Sequence, residues 1–267
     1  MKKRSVTNIK IFFEGAILSY RALFLWLRPA TYIASKILAP LTMMIFFVFI
    51  GAYASGSNDA SFYVIGNALI FAASSGIFGV TMSIGGERWS GTLPYLFGSP
   101  ANRMAIFVGR AFMHILDGML GVFIGFGWGI LLFELDLSQT HLIPLLLTIL
   151  ITTYSTAGLG LLMGCVGLIT RNVMLVNNTV FFSMLLFSGA NICLETLPKW
   201  MQVVSRYFPL TRGIASTRLI VAGAGVNEVL SLLAEEFLIG LIFTLVGFFL
   251  FSIFEKQAKK LGTLEIF

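Results

Sequence analysis

The chain has 267 residues, 57% of them hydrophobic and only 11% charged, with a mean hydropathy of +0.91 and a formal net charge of +6. Globular domains carry roughly a quarter charged residues, so this composition is that of an integral membrane protein, and its polar remainder is too small to hold a soluble catalytic domain.

Residues 1–31 open with Lys2, Lys3 and Arg4 but do not read as a secretory signal, because Lys10, Glu14, Arg21 and Arg28 break the apolar block that a signal keeps uninterrupted. Those four positions keep to one helical stripe while Ile11, Phe12, Leu18, Leu25 and Trp26 cover the rest. The pattern predicts a cytosolic amphipathic helix lying along the membrane surface, with a poorly inserted seventh span as the alternative.

Six apolar runs follow at 33–54, 62–86, 106–133, 142–168, 173–192 and 229–254, each near the roughly 20 residues that cross a hydrocarbon core. The expected fold is all-α, with six transmembrane helices over 32–254 and a cytosolic tail at 255–267. With the N-terminus cytosolic, fourteen of the Lys and Arg residues fall inside, leaving Lys199, Arg206, Arg212 and Arg218 outside. This satisfies the positive-inside rule, so the net charge is an orientation signal, with no nucleic-acid partner implied. Both termini are expected in the cytosol, and Cys165 and Cys193 are expected on opposite sides, unpaired. Between the fifth and sixth spans, residues 194–229 predict two short outer helices broken at Pro209, lying at or dipping into the outer leaflet. Gly121, Gly125, Gly127, Gly129, Gly160 and Gly164 have spacings that suit close helix packing.

No phosphate loop, zinc motif or nucleophile elbow occurs, and His114 and His141 are too few for a histidine metal site or a catalytic triad. The chain is expected to be no enzyme and to take its energy from a gradient or another protein. Arg110, His114 and Asp117, at i, i+4 and i+7, form one stripe at the start of the third span. A carboxylate there must face the bundle interior or a wet cleft. An Arg110–Asp117 structural pair is the simpler reading, a proton relay the other.

The longest inner loop, GGERWSGTLPYLFGSPANR at 85–103, interrupts the apolar pattern with turn residues on both sides of Leu93–Phe97. Thr92 can cap a short helix there, Pro94 is tolerated in its first turn, and Gly98 with Pro100 ends it. So short a helix is unstable alone, and an apolar cytosolic knob bearing Tyr95, Leu96 and Phe97 implies a partner groove.

The run Glu87, Gly91-Thr92-Leu93, Tyr95-Leu96-Phe97, Pro100, Arg103 and Gly109-Arg110 resembles the cytosolic loop of type-2 ATP-binding cassette transporter permeases. Ser188-Gly189-Ala190, Leu197-Pro198, Trp200, Arg206, Phe208-Pro209-Leu210-Thr211, Arg218 and Gly223 resemble that family's segment after the fifth span. Pro94 departs from the family pattern, as does Ile192-Cys193, where a Phe-Pro pair is common. The resemblance implies a permease half that pairs with a second half, identical or merely similar, and with a separate ATPase subunit. It makes the loop a coupling helix, with Glu87, Arg88, Gly91, Thr92, Leu93, Tyr95, Leu96, Phe97 and Pro100 as coupling residues. ATP and magnesium would belong to the partner subunit, with no cofactor in this chain. A substrate pathway is expected along the second and fifth helices, by the same resemblance and because Asn67, Phe71, Ser74 and Ser75 on the second and Asn178, Phe181, Phe182 and Ser188 on the fifth mix polar with aromatic residues. The expected function is export of a hydrophobic or amphipathic substrate (drug, peptide or lipid-linked glycan) across a bacterial-type plasma membrane. A proton-coupled secondary transporter and a non-transporting anchor or sensor are the rivals.

Overall fold

A computed structural model describes residues 10, 12–17, 30, 33–56, 60–89, 91–99, 102–170 and 172–261, apart from the side chains at 55, 87–89, 97, 169 and 257–261. The stripe residues Arg21 and Arg28 of the predicted surface helix, with Arg171 and the end of the tail, lie outside them. Among the described residues the regular structure is helical throughout.

Five helices among the described residues are long and apolar enough to cross a membrane: span 1 (Ile33–Ala54), span 2 (Ser61–Gly86), span 3 (Arg103–Phe133), span 4 (Leu142–Leu168) and span 6 (Val226–Lys256). The fifth helix is shorter, Val173–Phe187, against the predicted 173–192. At 1.5 Å per residue its 15 residues reach about 22 Å, less than the roughly 30 Å of a hydrocarbon core. It stops because Ser188 leaves the helix and Gly189 takes a left-handed φ of 79° that turns the chain. Span 6 runs on as one helix to Leu261, so the start of the predicted tail continues the span.

Spans 2 and 4 form the centre, and missing side chains let them touch: a Cβ on Gly160 would lie 2.0 Å from the Gly76 carbonyl oxygen. Gly158 meets the Gly240 backbone of span 6 in the same way. Lipid gives no hydrophobic drive between helices, so such contacts hold a bundle by close packing. Gly125 backs onto Ala68 and Phe71, whereas Gly127 faces open space. Outward, Leu238, Ile242, Leu245, Phe249 and Ile253 form an exposed apolar stripe on span 6, the face a membrane helix gives to lipid.

The elements predicted for each membrane side gather at opposite ends. At one end the N-terminal helix lies on the start of span 3, where a Cβ on Gly109 would meet the Phe12 carbonyl oxygen at 2.4 Å and the Phe12 and Phe112 rings are 5.7 Å apart. The loop helix Leu93–Gly98 and the end of span 6 lie at that same end. At the other end are the turn into span 2, the 134–141 connection and the two helices predicted for the outer side, Lys199–Ser205 and Thr211–Val221. These two do not behave alike. Trp200, Val203 and Tyr207 are exposed in and just after the first, as interfacial residues are, while the second is wedged into the bundle with Ile214 and Ile220 buried. Its entry is possible because Gly213 has no side chain where Thr152 of span 4 lies.

Candidate functional site

The loop helix, one residue longer than the Leu93–Phe97 expected, follows a left-handed turn at Gly91, φ 67°. Pro94 occupies its first turn, as its missing N–H permits. Thr92 makes no side-chain cap; its carbonyl oxygen accepts from Leu96 N at 3.1 Å, because Thr92 already has helical backbone angles and its hydroxyl cannot reach back as a cap would. Span 3 is capped instead by Asn102, whose Oδ1 accepts from Ala105 N at 3.3 Å.

The residues expected to couple divide by the direction they face. Leu93 is 3% exposed and packs into a cluster with Val80, Ile84, Phe107 and Phe251, with half-buried Leu96 against it. Leu93 therefore anchors the helix to its own bundle. Tyr95 is 80% exposed and points away. Glu87 and Arg88 have helical backbone with side chains outside the description, as does Phe97, and Pro100 lies outside it entirely.

Behind the loop helix, the stripe on span 3 faces span 2, as its charge requires. Arg110 Nη1 donates to the Ser83 carbonyl oxygen. The His114 ring lies on Gly79, where a Cβ would be 2.3 Å from Nδ1. Asp117 accepts from Ser75 Oγ at 2.7 Å. The ion pair expected between Arg110 and Asp117 is not formed. Asp117 pairs with Lys36 of span 1, whose Nζ also donates to Ser75 Oγ at 2.7 Å. A residue nearly four turns into an apolar helix is reached more readily by a long side chain from a neighbouring helix than by Arg110, two turns back, which points towards the loop end. Lys36 and Ser75 both lie in π-helical turns, Ala34–Leu38 and Ser75–Val80, a departure often found where a helix carries function. Sequence reasoning passes over Lys36; its one signal is a cation near the start of the first apolar run in a chain whose spans 1 to 3 hold a lone carboxylate, which names a candidate but not a contact.

The predicted pathway residues separate in the same manner. Asn67, Phe71 and Ser75 are buried inside the chain, Asn67 donating to the Tyr63 carbonyl oxygen at 2.8 Å and to Asn191 Oδ1 at 2.7 Å. Ser74 is half-buried and Ser188 buried. On the fifth helix, Met174, Leu175, Asn178 and Phe182 form one exposed face, Phe182 64% exposed, while Phe181 turns to Phe78 of span 2 with ring centroids 5.3 Å apart. Asn177, one residue away, is buried with no hydrogen-bond partner among the described residues.

Two charged residues fix the end of the bundle opposite the loop helix. Glu236 is buried in span 6 and accepts from the N–H groups of Leu210 at 2.6 Å and Arg212 at 3.2 Å. It supplies from another helix the cap that Thr211–Val221 lacks. Arg218 donates to the carbonyl oxygens of Phe62, Gly189 and Ala190 at 3.0, 2.9 and 3.3 Å, and stacks on the Phe62 ring at 3.6 Å. Burial draws its pKa down to about 10, so the cation persists at neutral pH. Both cysteines are free, Cys165 buried and Cys193 exposed, and no cluster of metal-ligating side chains occurs among the described residues.

A family model described as ABC-2 type transporter matches residues 15–222. No curated protein matches the chain significantly.

Proposed function

From the premise that the chain belongs to the ABC-2 type transporter family, as its membrane permease component, we propose that it is one half of an ATP-driven exporter whose loop helix docks into a separate ATPase subunit. Permeases of this family work with such a subunit. The observation that carries the reading is the division of the loop helix, Leu93 sunk into the bundle and Tyr95 presented outward. A helix this short holds its shape only when fixed on one side, and its free side then offers an aromatic anchor to a groove.

Two halves pair through faces left open in the single chain. Phe46, Phe49, Ile50 and Tyr53 of span 1 and Met174, Leu175, Asn178 and Phe182 of the fifth helix are exposed, and the polar Asn178 among apolar neighbours suits a cleft better than lipid. Closure of the ATPase subunits on ATP moves the loop helix, and the cleft between halves exchanges inward for outward access. The loop helix and both termini face the cytosol, and an apolar cleft with few charges takes a hydrophobic or amphipathic substrate.

The purified chain alone is expected neither to bind nor to hydrolyse ATP, with hydrolysis appearing when the partner subunit is added. Photolabelling with an ATP analogue tests this, and saturable labelling of the isolated chain would contradict it.

A further inference from the structure

We propose that span 6 is the rod that carries movement of the loop helix across the membrane to the outer helix Thr211–Val221, with Arg103–Glu255 as its inner joint and Glu236 as its outer one. The inference rests on the reading of the loop helix as the ATPase-docking element.

The inner joint is built on one guanidinium. Arg103 Nε donates to the Leu96 carbonyl oxygen at 3.3 Å and Nη2 to that of Ser99 at 3.2 Å. These are carbonyls at the C-terminal end of the loop helix, where acceptors are orphaned and the helix dipole favours a cation. The same guanidinium pairs through Nη1 with Glu255 of span 6. The rigid donor fork of arginine makes these bonds at once, so the loop helix and the inner end of span 6 share one part. One turn further in, at i+4 from Arg103 and i−4 from Glu255, the Phe107 and Phe251 rings meet edge to face with centroids 4.7 Å apart. Leu93 belongs to the same cluster. Arg103 and Phe107 belong to the first turns of span 3, so displacement of the loop helix together with that end of span 3, but without span 6, would break both contacts.

The outer joint is Glu236, 19 residues back along the same continuous helix, about 28 Å at 1.5 Å per residue. Both its carboxylate oxygens hold backbone N–H groups at the start of the outer helix. Between the joints Gly240 and Gly247 run against the span 4 backbone, a smooth contact along which a helix can slide as a unit. Glu255 and Glu236 therefore act as positioning residues, one at each end of a stiff element.

The test uses the permease assembled with its ATPase subunit in vesicles, in a Cys165→Ala, Cys193→Ser background carrying a single cysteine at Leu219, an exposed position on the outer helix. The readouts are capture of the ATPase subunit, ATP hydrolysis, efflux of a lipophilic dye, and the change in thiol reactivity at position 219 on adding ATP. Without Glu255 substitution, reactivity at 219 is expected to change with ATP. Glu255→Ala should retain capture and hydrolysis, lose the change at 219, and reduce efflux about tenfold, within the range typical of a coupling between two sites. Glu255→Gln, which keeps an acceptor for Arg103 without the charge, should fall between. Glu236→Gln should reproduce the loss, and the double variant should be no worse than either single one, because both break one line. Full ATP-dependent change at 219 in both Glu255 variants, multiplying losses in the double variant, or no change at 219 in the unsubstituted protein would each overturn the rod. Failure of the unsubstituted permease to capture the ATPase subunit would instead overturn the docking reading.

Discussion

Lys36 of span 1 and Asp117 of span 3 form an ion pair inside the bundle, and both are bonded to Ser75 of span 2, so three helices meet at one charged point. Span 1 otherwise exposes much of its apolar surface, so this point is a polar attachment on a helix packed mainly by one side. Removing one member leaves the other buried and unpaired, costing about 3–5 kcal/mol, whereas replacing both with apolar residues restores much of the loss. Lys36→Met and Asp117→Leu are each expected to lower the melting temperature in detergent, and the double variant to recover most of it. Additive losses would contradict the pair.

Arg218 is held by one terminal nitrogen, Nη2, which donates to three carbonyl oxygens, and by its guanidinium plane on the Phe62 ring; a lysine ammonium can copy the first but not the second. Arg218→Lys keeps the charge but loses the stacked plane. A destabilisation of about 1–2 kcal/mol is expected, the scale of a desolvated cation–π contact. Proteolysis of intact vesicles should show it as earlier cleavage within 189–223, and unchanged protection would mean that the stacking contributes nothing.

Gly213 admits the outer helix against span 4, because a Cβ there would come within 2.1 Å of Thr152 Oγ1. Gly213→Val should expel the outer helix and cost several kcal/mol by overpacking, whereas Gly127→Val, in open space, should be tolerated. Equal yields of folded protein for the two variants would argue against the wedge.

The proposed orientation is open to chemical labelling. In a Cys165→Ala, Cys193→Ser background, a cysteine at Lys199 should react with an impermeant thiol reagent on intact cells, and one at Asn102 should not. The reverse pattern would invert the bundle.

Much of this architecture was legible because its signals are local. Long apolar runs, the turn residues around Leu93 and the i, i+4, i+7 spacing of Arg110, His114 and Asp117 state lengths, breaks and a shared face without reference to other helices. Partners across helices were not legible. Asp117 chose Lys36, 81 residues away, over Arg110 on its own helix, and Glu236 became a cap for a helix 24 residues before it. Which of Asn177 and Asn178 packs inside the chain was not legible for the same reason: adjacent helical positions point about 100° apart, and only the neighbouring helices decide which faces inward. The short fifth helix was overextended because Ser188 to Ile192 continues the hydropathy but not the backbone, which turns at Gly189 to meet Arg218.

Docking of an ATPase subunit on the loop helix is tested most directly by comparing its two faces. Tyr95→Ala removes an exposed anchor and should leave the permease folded, with its melting temperature unchanged, while capture of the ATPase subunit weakens by about 2 kcal/mol or more, the scale of an interface hot spot, and efflux fails. Leu93→Ala removes a side chain buried in the chain's own core and should instead lower the melting temperature, by the equivalent of about 2–5 kcal/mol. Measuring subunit capture and melting temperature side by side on both variants decides the matter. Loss of capture in Tyr95→Ala with a native melting temperature is the predicted result; undiminished capture and efflux in Tyr95→Ala would contradict the account.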